Sequence, residues 1–168
     1  MPLTTSDSVR SSHSVSTIDA MRLSLASDSL DGIASHIVTE AERRGHSVTL
    51  YGALAPGGRA DWAWCCSEAA RDVAAGRADQ GIVCCWTGTG ASIAANKVPG
   101  VRAALCVDAA TAAGARTWND ANVLALSLRL TSRQILTEIL DAWFSTGPST
   151  AEDDRANVDR LIDLEGGS

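Results

Sequence analysis

Residues Gly81 to Lys97 read GIVCCWTGTGASIAANK, and the order of residue types in this stretch decides the fold. Gly81 to Trp86 is a continuous apolar run, the pattern of a strand buried on both faces of a parallel sheet. A Gly-rich turn, Thr87-Gly88-Thr89-Gly90, follows at once, and helical sequence begins near Ser92. The glycines let the backbone take conformations that other residues resist, so the turn can aim several N–H groups at one point. With a helix N-terminus behind it, that point attracts negative charge. The same field favours the thiolate of Cys85, which ends the run. A base beside an anion hole is what an enolisation requires: the base removes a proton next to a carbonyl, and the N–H groups hold the resulting enediolate oxygen. A strand, Gly-rich turn and helix equally make a phosphate cradle or a purely structural turn, so the pattern alone leaves the chemistry open.

Outward from this stretch the periodicity alternates. Arg22 to Ala26 reads as a strand and Leu30 to Arg44 as a helix, with Ile33, Ile37 and Ala41 at helical spacing and Gly45 as its stop. His46 to Tyr51 is a second strand, followed by the loop APGGRAD and a helix from Trp62 to Ala75. Beyond the quoted stretch come a strand over Arg102 to Val107, a helix over Ala109 to Thr117, a strand over Val123 to Leu128, and a helix over Ser132 to Phe144. A polar helix over about 150–164 ends the chain. Strands alternating with helices predict an α/β fold with parallel strands and right-handed crossovers. Such sheets bind ligands at the carboxyl ends of their strands, where Asp28 and Cys85 fall.

The chain has 168 residues, of which 45% are apolar, enough for one domain with a proper core. Its net charge of −6 argues against nucleic acid or an anionic membrane as partner, since both require a basic face. No apolar run approaches the roughly 20 residues of a spanning helix. Residues 1–20 are rich in Ser and Thr and hold no apolar core of the signal-peptide kind. They are expected to form a flexible extension before a domain over 21–165, and a cytoplasmic protein is the default expectation. The five cysteines (Cys65, Cys66, Cys84, Cys85, Cys106) contain no CxxC and do not form a disulfide framework. Most of them read as small buried hydrophobes. No histidine lies at ligand spacing from a cysteine, so no metal site is expected.

The stretch from Gly81 to Asp108, GIVCCWTGTGASIAANKVPGVRAALCVD, resembles the signature of ribose-5-phosphate isomerase B and the galactose-6-phosphate isomerase subunits. The similarity runs over about residues 21–145 and includes Ser27-Asp28, RGHSV at Arg44 to Val48, the Asp61 region, Asn119-Asp120 with Asn122, and DAW at Asp141 to Trp143. The resemblance implies a Rossmann-like, doubly wound parallel sheet in three α/β/α layers. It also implies a homodimer with sites at the subunit interface, no metal or organic cofactor, and aldose–ketose isomerisation through an enediolate. Pairing of dimers into tetramers stays open. By the same resemblance Cys85 matches the proton-transferring base and Thr87 to Gly90 the anion hole. Asp28 matches a carboxylate for sugar hydroxyls and Asn119 a substrate-contacting amide.

The chain departs from that pattern around the site. Asp28-Ser29 stands where the family has Asp-His, Trp118 replaces the ring-opening His, and Trp86 replaces the first Gly of the turn. An indole cannot exchange protons as an imidazole does. In the family's arginine segment the best alignment sets Asp153 and Asn157 on the arginine positions, with Arg155 and Arg160 nearby. The catalytic candidates are Cys85 and Thr87. The candidates for binding a carbohydrate-like small molecule are Asp28, Ser29, Trp86, Gly88, Thr89, Gly90, Ser92, Trp118 and Asn119. For Asp28 a helix cap, and for Trp86 and Trp118 simple packing, are the competing roles. Three functions fit: a sugar-phosphate isomerase, an enolising enzyme on a non-phosphorylated substrate, or a non-catalytic ligand-binding relative.

Overall fold

The computed structural model of the chain describes residues 19–166. The expected flexible extension lies outside the described residues, apart from residues 19 and 20. The described residues form a five-stranded parallel sheet with six helices. In chain order these are β1 (Arg22–Ser27), α1 (Ala34–Arg43), β2 (Ser47–Gly52), α2 (Trp62–Ala74), β3 (Gln80–Cys85) and α3 (Thr89–Asn96). Then follow β4 (Ala103–Leu105), α4 (Ala109–Asn119), β5 (Val123–Ser127), α5 (Arg133–Ser145) and α6 (Glu152–Gly166). The strand order is β2-β1-β3-β5-β4, with every pair parallel.

Strand alternation builds two cores, one on each face. Leu23, Leu25, Ile82, Cys84, Leu124 and Leu126 pack against α1, α4 and α5. Ala26, Val83, Cys85 and Ala125 pack against α2 and α3. Helices on both faces make the sheet doubly wound, with three layers, as expected. Trp143 anchors the first layer: it is fully buried, and its indole N–H donates to the Gln80 side-chain oxygen at 2.6 Å. The second layer is built from alanines, cysteines and valines, with no buried side chain among the described residues larger than valine.

Local chemistry moves some boundaries. The helix expected from Leu30 starts at Ala34, because residues 27–31 are held by their own hydroxyls. Ser27 Oγ donates to the Ser29 carbonyl at 2.6 Å, and Ser29 Oγ donates to Asp31 Oδ2 at 2.9 Å. Gly32, at φ +60, then passes over the Leu128 carbonyl, an approach that a Cβ would block at 2.5 Å. Asp28 is therefore not a cap; Ile33 holds that position with no side-chain hydrogen bond. The helix expected near Ser92 begins at Thr89, so Thr89 and Gly90 belong to its first turn. α4 runs on to Asn119 and places Trp118 in its last turn. The strand expected over Arg102 to Val107 shortens to Ala103–Leu105, an edge strand paired with β5.

Candidate active site

From β1 the chain moves outward to β2 and then crosses to β3 on the other side, so the order of the sheet reverses between β1 and β3. The crevice at the carboxyl ends of those two strands is the usual ligand position in such sheets. Ser27 faces Cys84 in the β1–β3 ladder. One step further along both strands are Asp28 and Cys85.

Cys85 is 5% exposed, and its sulfur accepts the backbone N–H of Ala91, in the first turn of α3, at 3.4 Å. The turn between them is pinned to β5. The Leu128 N–H donates to the Cys85 carbonyl at 3.1 Å, and the Arg129 N–H and Ser127 Oγ both donate to the Trp86 carbonyl at 3.0 Å. Gly88 closes the turn at φ +78, with its own N–H donated to the Cys85 carbonyl at 3.2 Å. It lies so close to β5 that a Cβ would come within 2.9 Å of the Leu126 carbonyl and 2.5 Å of Leu105 Cδ1. α3 has no side-chain cap. The N–H groups of Thr87, Thr89 and Gly90 find no acceptor among the described residues. Unsatisfied amides at a helix start form a ready anion site. The hydroxyls of Thr87 and Thr89 are hydrogen-bonded to each other at 2.8 Å and are exposed above it.

Asp28 supplies the opposing charge. Its Oδ1 is buried with no hydrogen-bond partner among the described residues. Burial, helped by the charge of Asp31, pushes its carboxyl above the ordinary range, against the pull of its own backbone N–H. A buried carboxylate oxygen without a partner is costly, so Asp28 is the polar side chain at this edge with unused hydrogen-bonding capacity. The Trp62 ring covers the α3 side of this edge: it lies against Gly90, where a Cβ would meet it at 3.1 Å. Trp86, 55% exposed, flanks the turn. Arg59 is engaged elsewhere, paired with Asp61 and set over the Trp64 ring at 5.6 Å.

The remaining candidates lie apart. Ser29 is tied into the 27–31 turn beside Asp28. Ser92 turns its hydroxyl toward the Ala103 carbonyl at 3.5 Å and, with Asn96, fastens α3 to β4. Trp118, 61% exposed, packs across Gly114 of its own helix and lines a cavity of about 420 Å³ with Asp154, Arg155 and Ile162. Asn119 lines a second cavity, of about 510 Å³, beside Leu161 and Leu164. Neither cavity is lined by Cys85. Asp153 and Asn157 are exposed on α6, one turn apart, joined by a bond from Asn157 Nδ2 to the Asp153 carbonyl at 2.8 Å. Arg129 was not anticipated. It follows β5 directly at the carboxyl edge, bonds its backbone to Trp86, and is exposed with no ion pair among the described residues. Its signal was a lone cation immediately after a buried strand, two residues past Ser127.

With this geometry the Ribose/Galactose Isomerase family model matches residues 25–161. The chain belongs to that family. It is 44% identical over 85 residues to ribose-5-phosphate isomerase B of Escherichia coli strain K12, a stretch that covers 51% of this chain and 57% of that protein. The similarity thus spans little more than half the length of that relative. With ribose-5-phosphate isomerase B of Mycobacterium tuberculosis it is 32% identical over 149 residues, covering 88% of this chain and 92% of that one. The solved structure of Clostridium thermocellum ribose-5-phosphate isomerase B superposes with a TM-score of 0.78 at 32% identity, over 87% of this chain and 98% of the other. No group of three or more His, Cys, Asp or Glu is placed to hold a metal ion among the described residues. No helix among them is long and apolar enough to cross a membrane.

Proposed function

We propose that this protein is an aldose–ketose isomerase of the sugar-phosphate type, in which Cys85 moves a proton through an enediolate. The observation that carries this reading is the grouping of the Cys85 sulfur, the open N–H groups of Thr87, Thr89 and Gly90, and the unpartnered Asp28 oxygen at the adjoining carboxyl ends of β1 and β3. Cys85 takes the proton from the carbon beside the substrate carbonyl and returns it to the neighbouring carbon. The open amides hold the enediolate oxygen while it is charged. The Thr87 hydroxyl passes the remaining hydroxyl proton between the two oxygens, and Asp28 accepts hydrogen bonds from further sugar hydroxyls. Arg129, a cation at this edge with no ion pair among the described residues, suits an anionic substrate end.

The working unit of this proposal is a homodimer. Trp118, Asn119, Asp153 and Asn157 sit on the α4–α6 side of one chain, away from its Cys85, and a second copy would bring them to the crevice. Exposed apolar side chains at Ile93, Val107 and Trp118 support such an interface. A monomer by light scattering at micromolar concentration would contradict it. Five free thiols support residence in a reducing compartment, the cytoplasm.

A second reading, a non-phosphorylated substrate, is favoured by one observation. The cavity beside Trp118 is lined by Asp120, Asp154 and Asp159 against a single cation, Arg155, so a phosphate there would meet a net like charge. Incubation in D₂O with ribose 5-phosphate, free pentoses and small hydroxy-ketones separates the two. Carbon-bound exchange with the phosphate supports the first reading, and exchange confined to unphosphorylated compounds selects the second. Absence of exchange across the panel would sink both.

A further inference from the structure

Four of the five cysteines lie in adjacent pairs on two packed elements, α2 and β3. Cys65 and Cys66 lie on α2 with their sulfurs 4.0 Å apart, and Cys84 and Cys85 end β3. The two α2 thiols face different strands. Cys65 Sγ stands at the β1–β2 side, where a Cβ on Gly52 would meet it at 3.0 Å. Cys66 Sγ stands over β3, 4.0 Å from the Cys84 carbonyl oxygen. That oxygen belongs to the peptide unit that leads into Cys85. Standard peptide dimensions therefore put the Cys66 sulfur within about 7 Å of the Cys85 Cα. Cys84 points to the opposite layer, but Cys66 and Cys85 share one packed layer whose neighbours are Ala26, Ala69, Ala91 and Val83. Three of these four neighbours are alanines, so the layer that the two thiols share carries little side-chain bulk.

We propose that Cys85 and Cys66 form an oxidative modification site, in which Cys85 is the thiol attacked first and Cys66 resolves it into a disulfide. The oxidant is a hydroperoxide. The Cys85 sulfur attacks its outer oxygen, the O–O bond breaks, and an S–O bond forms. Sulfur is oxidised by two electrons and the peroxide is reduced, leaving as water or an alcohol. The Cys66 sulfur then attacks the Cys85 sulfur. An S–S bond forms, the S–O bond breaks, and the departing hydroxide takes the Cys66 proton as water. The order follows from access: Cys85 lies beneath the exposed Trp86 and Thr87 at the open edge, whereas Cys66 is wholly inside. The disulfide would remove the proton-transferring thiol and be reversed by a dithiol.

The test uses the full chain and reads mass, so it stands apart from any assay of isomerisation. The protein is treated with stoichiometric hydrogen peroxide, quenched in acid so that thiols stay protonated, alkylated in denaturant, and its peptides are mapped. The expected product has lost two hydrogen atoms and joins the Cys66 peptide to the Cys85 peptide, with full recovery by dithiothreitol. The Cys66→Ser variant should instead carry Cys85 as sulfenic or sulfinic acid, while Cys65→Ser should still form the bond. Oxygen addition at Cys85 in the natural chain with no linked peptide overturns the proposal. A bond that maps to Cys65 overturns it equally, and neither result depends on a variant folding.

Discussion

The Cys85 sulfur and the Ala91 backbone N–H meet at 3.4 Å across a turn of five residues. The contact fixes the thiol at the start of α3, next to the three open amides. Replacing Cys85 with Ala removes the proposed base and leaves the turn's backbone contacts to β5 in place. Turnover and C–H exchange should fall by about 10²–10⁴-fold, the usual worth of a positioned base. Melting temperature, followed by circular dichroism, should change little by comparison. Activity within tenfold of the natural protein would remove Cys85 from the mechanism.

The cysteines should differ in reactivity. Cys84 is wholly buried and donates to the Ala26 carbonyl at 3.3 Å, and burial pushes its thiol up to about 12. Burial and the charge of Asp108 push Cys106 up to about 12 as well. Iodoacetamide under native conditions should therefore modify Cys85 first, as read by peptide mapping over time. Equal rates at the three positions would count against an activated thiol.

Asp28 should show a trade of stability for function. Its carboxyl is raised above the ordinary range, so the native state holds that proton more tightly than the unfolded chain. The ionised form at neutral pH therefore costs stability, and the cost grows as pH rises through the raised value. Asp28→Asn should melt higher than the natural protein at neutral pH. The same change should weaken kcat/KM by roughly 10–100-fold through one lost charge-assisted hydrogen bond. A variant that melts lower and keeps its activity would refute the assignment.

His46 sets part of the acid limb of stability. It is buried, accepts the Met21 N–H at Nδ1 at 3.2 Å, and packs on Phe144 at 4.6 Å between ring centroids. Burial, with the charge of Arg44, lowers its pKa below 6.5. As pH falls, the unfolded chain takes up this proton first. The stability contribution is thus full above about 6.5 and is lost as pH drops toward the lowered folded value. Between about pH 7.5 and about pH 5.5 the natural protein should lose more melting temperature than His46→Leu. Equal losses would exclude the histidine as the source.

Gly88→Ala should damage both fold and site. At φ +78 a side chain is strained, and its Cβ would press on the Leu126 carbonyl and Leu105. A loss of about 1–3 kcal/mol is expected from urea unfolding, with a larger proportional loss of activity as the amides turn away. Unchanged stability would mean that the turn relaxes freely.

The sequence by itself determined the sheet-and-helix alternation, because buried strands such as GIVCC and helical spacing such as Ile33, Ile37 and Ala41 are local patterns that burial enforces. It also located the Cys85 turn, since a thiol, glycines and a helix start follow one another within a few residues. Tertiary structure decided what those residues meet. The β1–β3 ladder brought the strand ends that carry Asp28 and Cys85 side by side although 57 positions separate the two residues. The start of α3 at Thr89 turned two loop residues into the open end of a helix, because Gly88 could pack against β5 where no other residue fits. The Cys85 turn was legible because its chemistry is contiguous in the chain. Asp28's orphaned oxygen and the Cys66–Cys85 juxtaposition were not, because each exists only through contacts between distant segments.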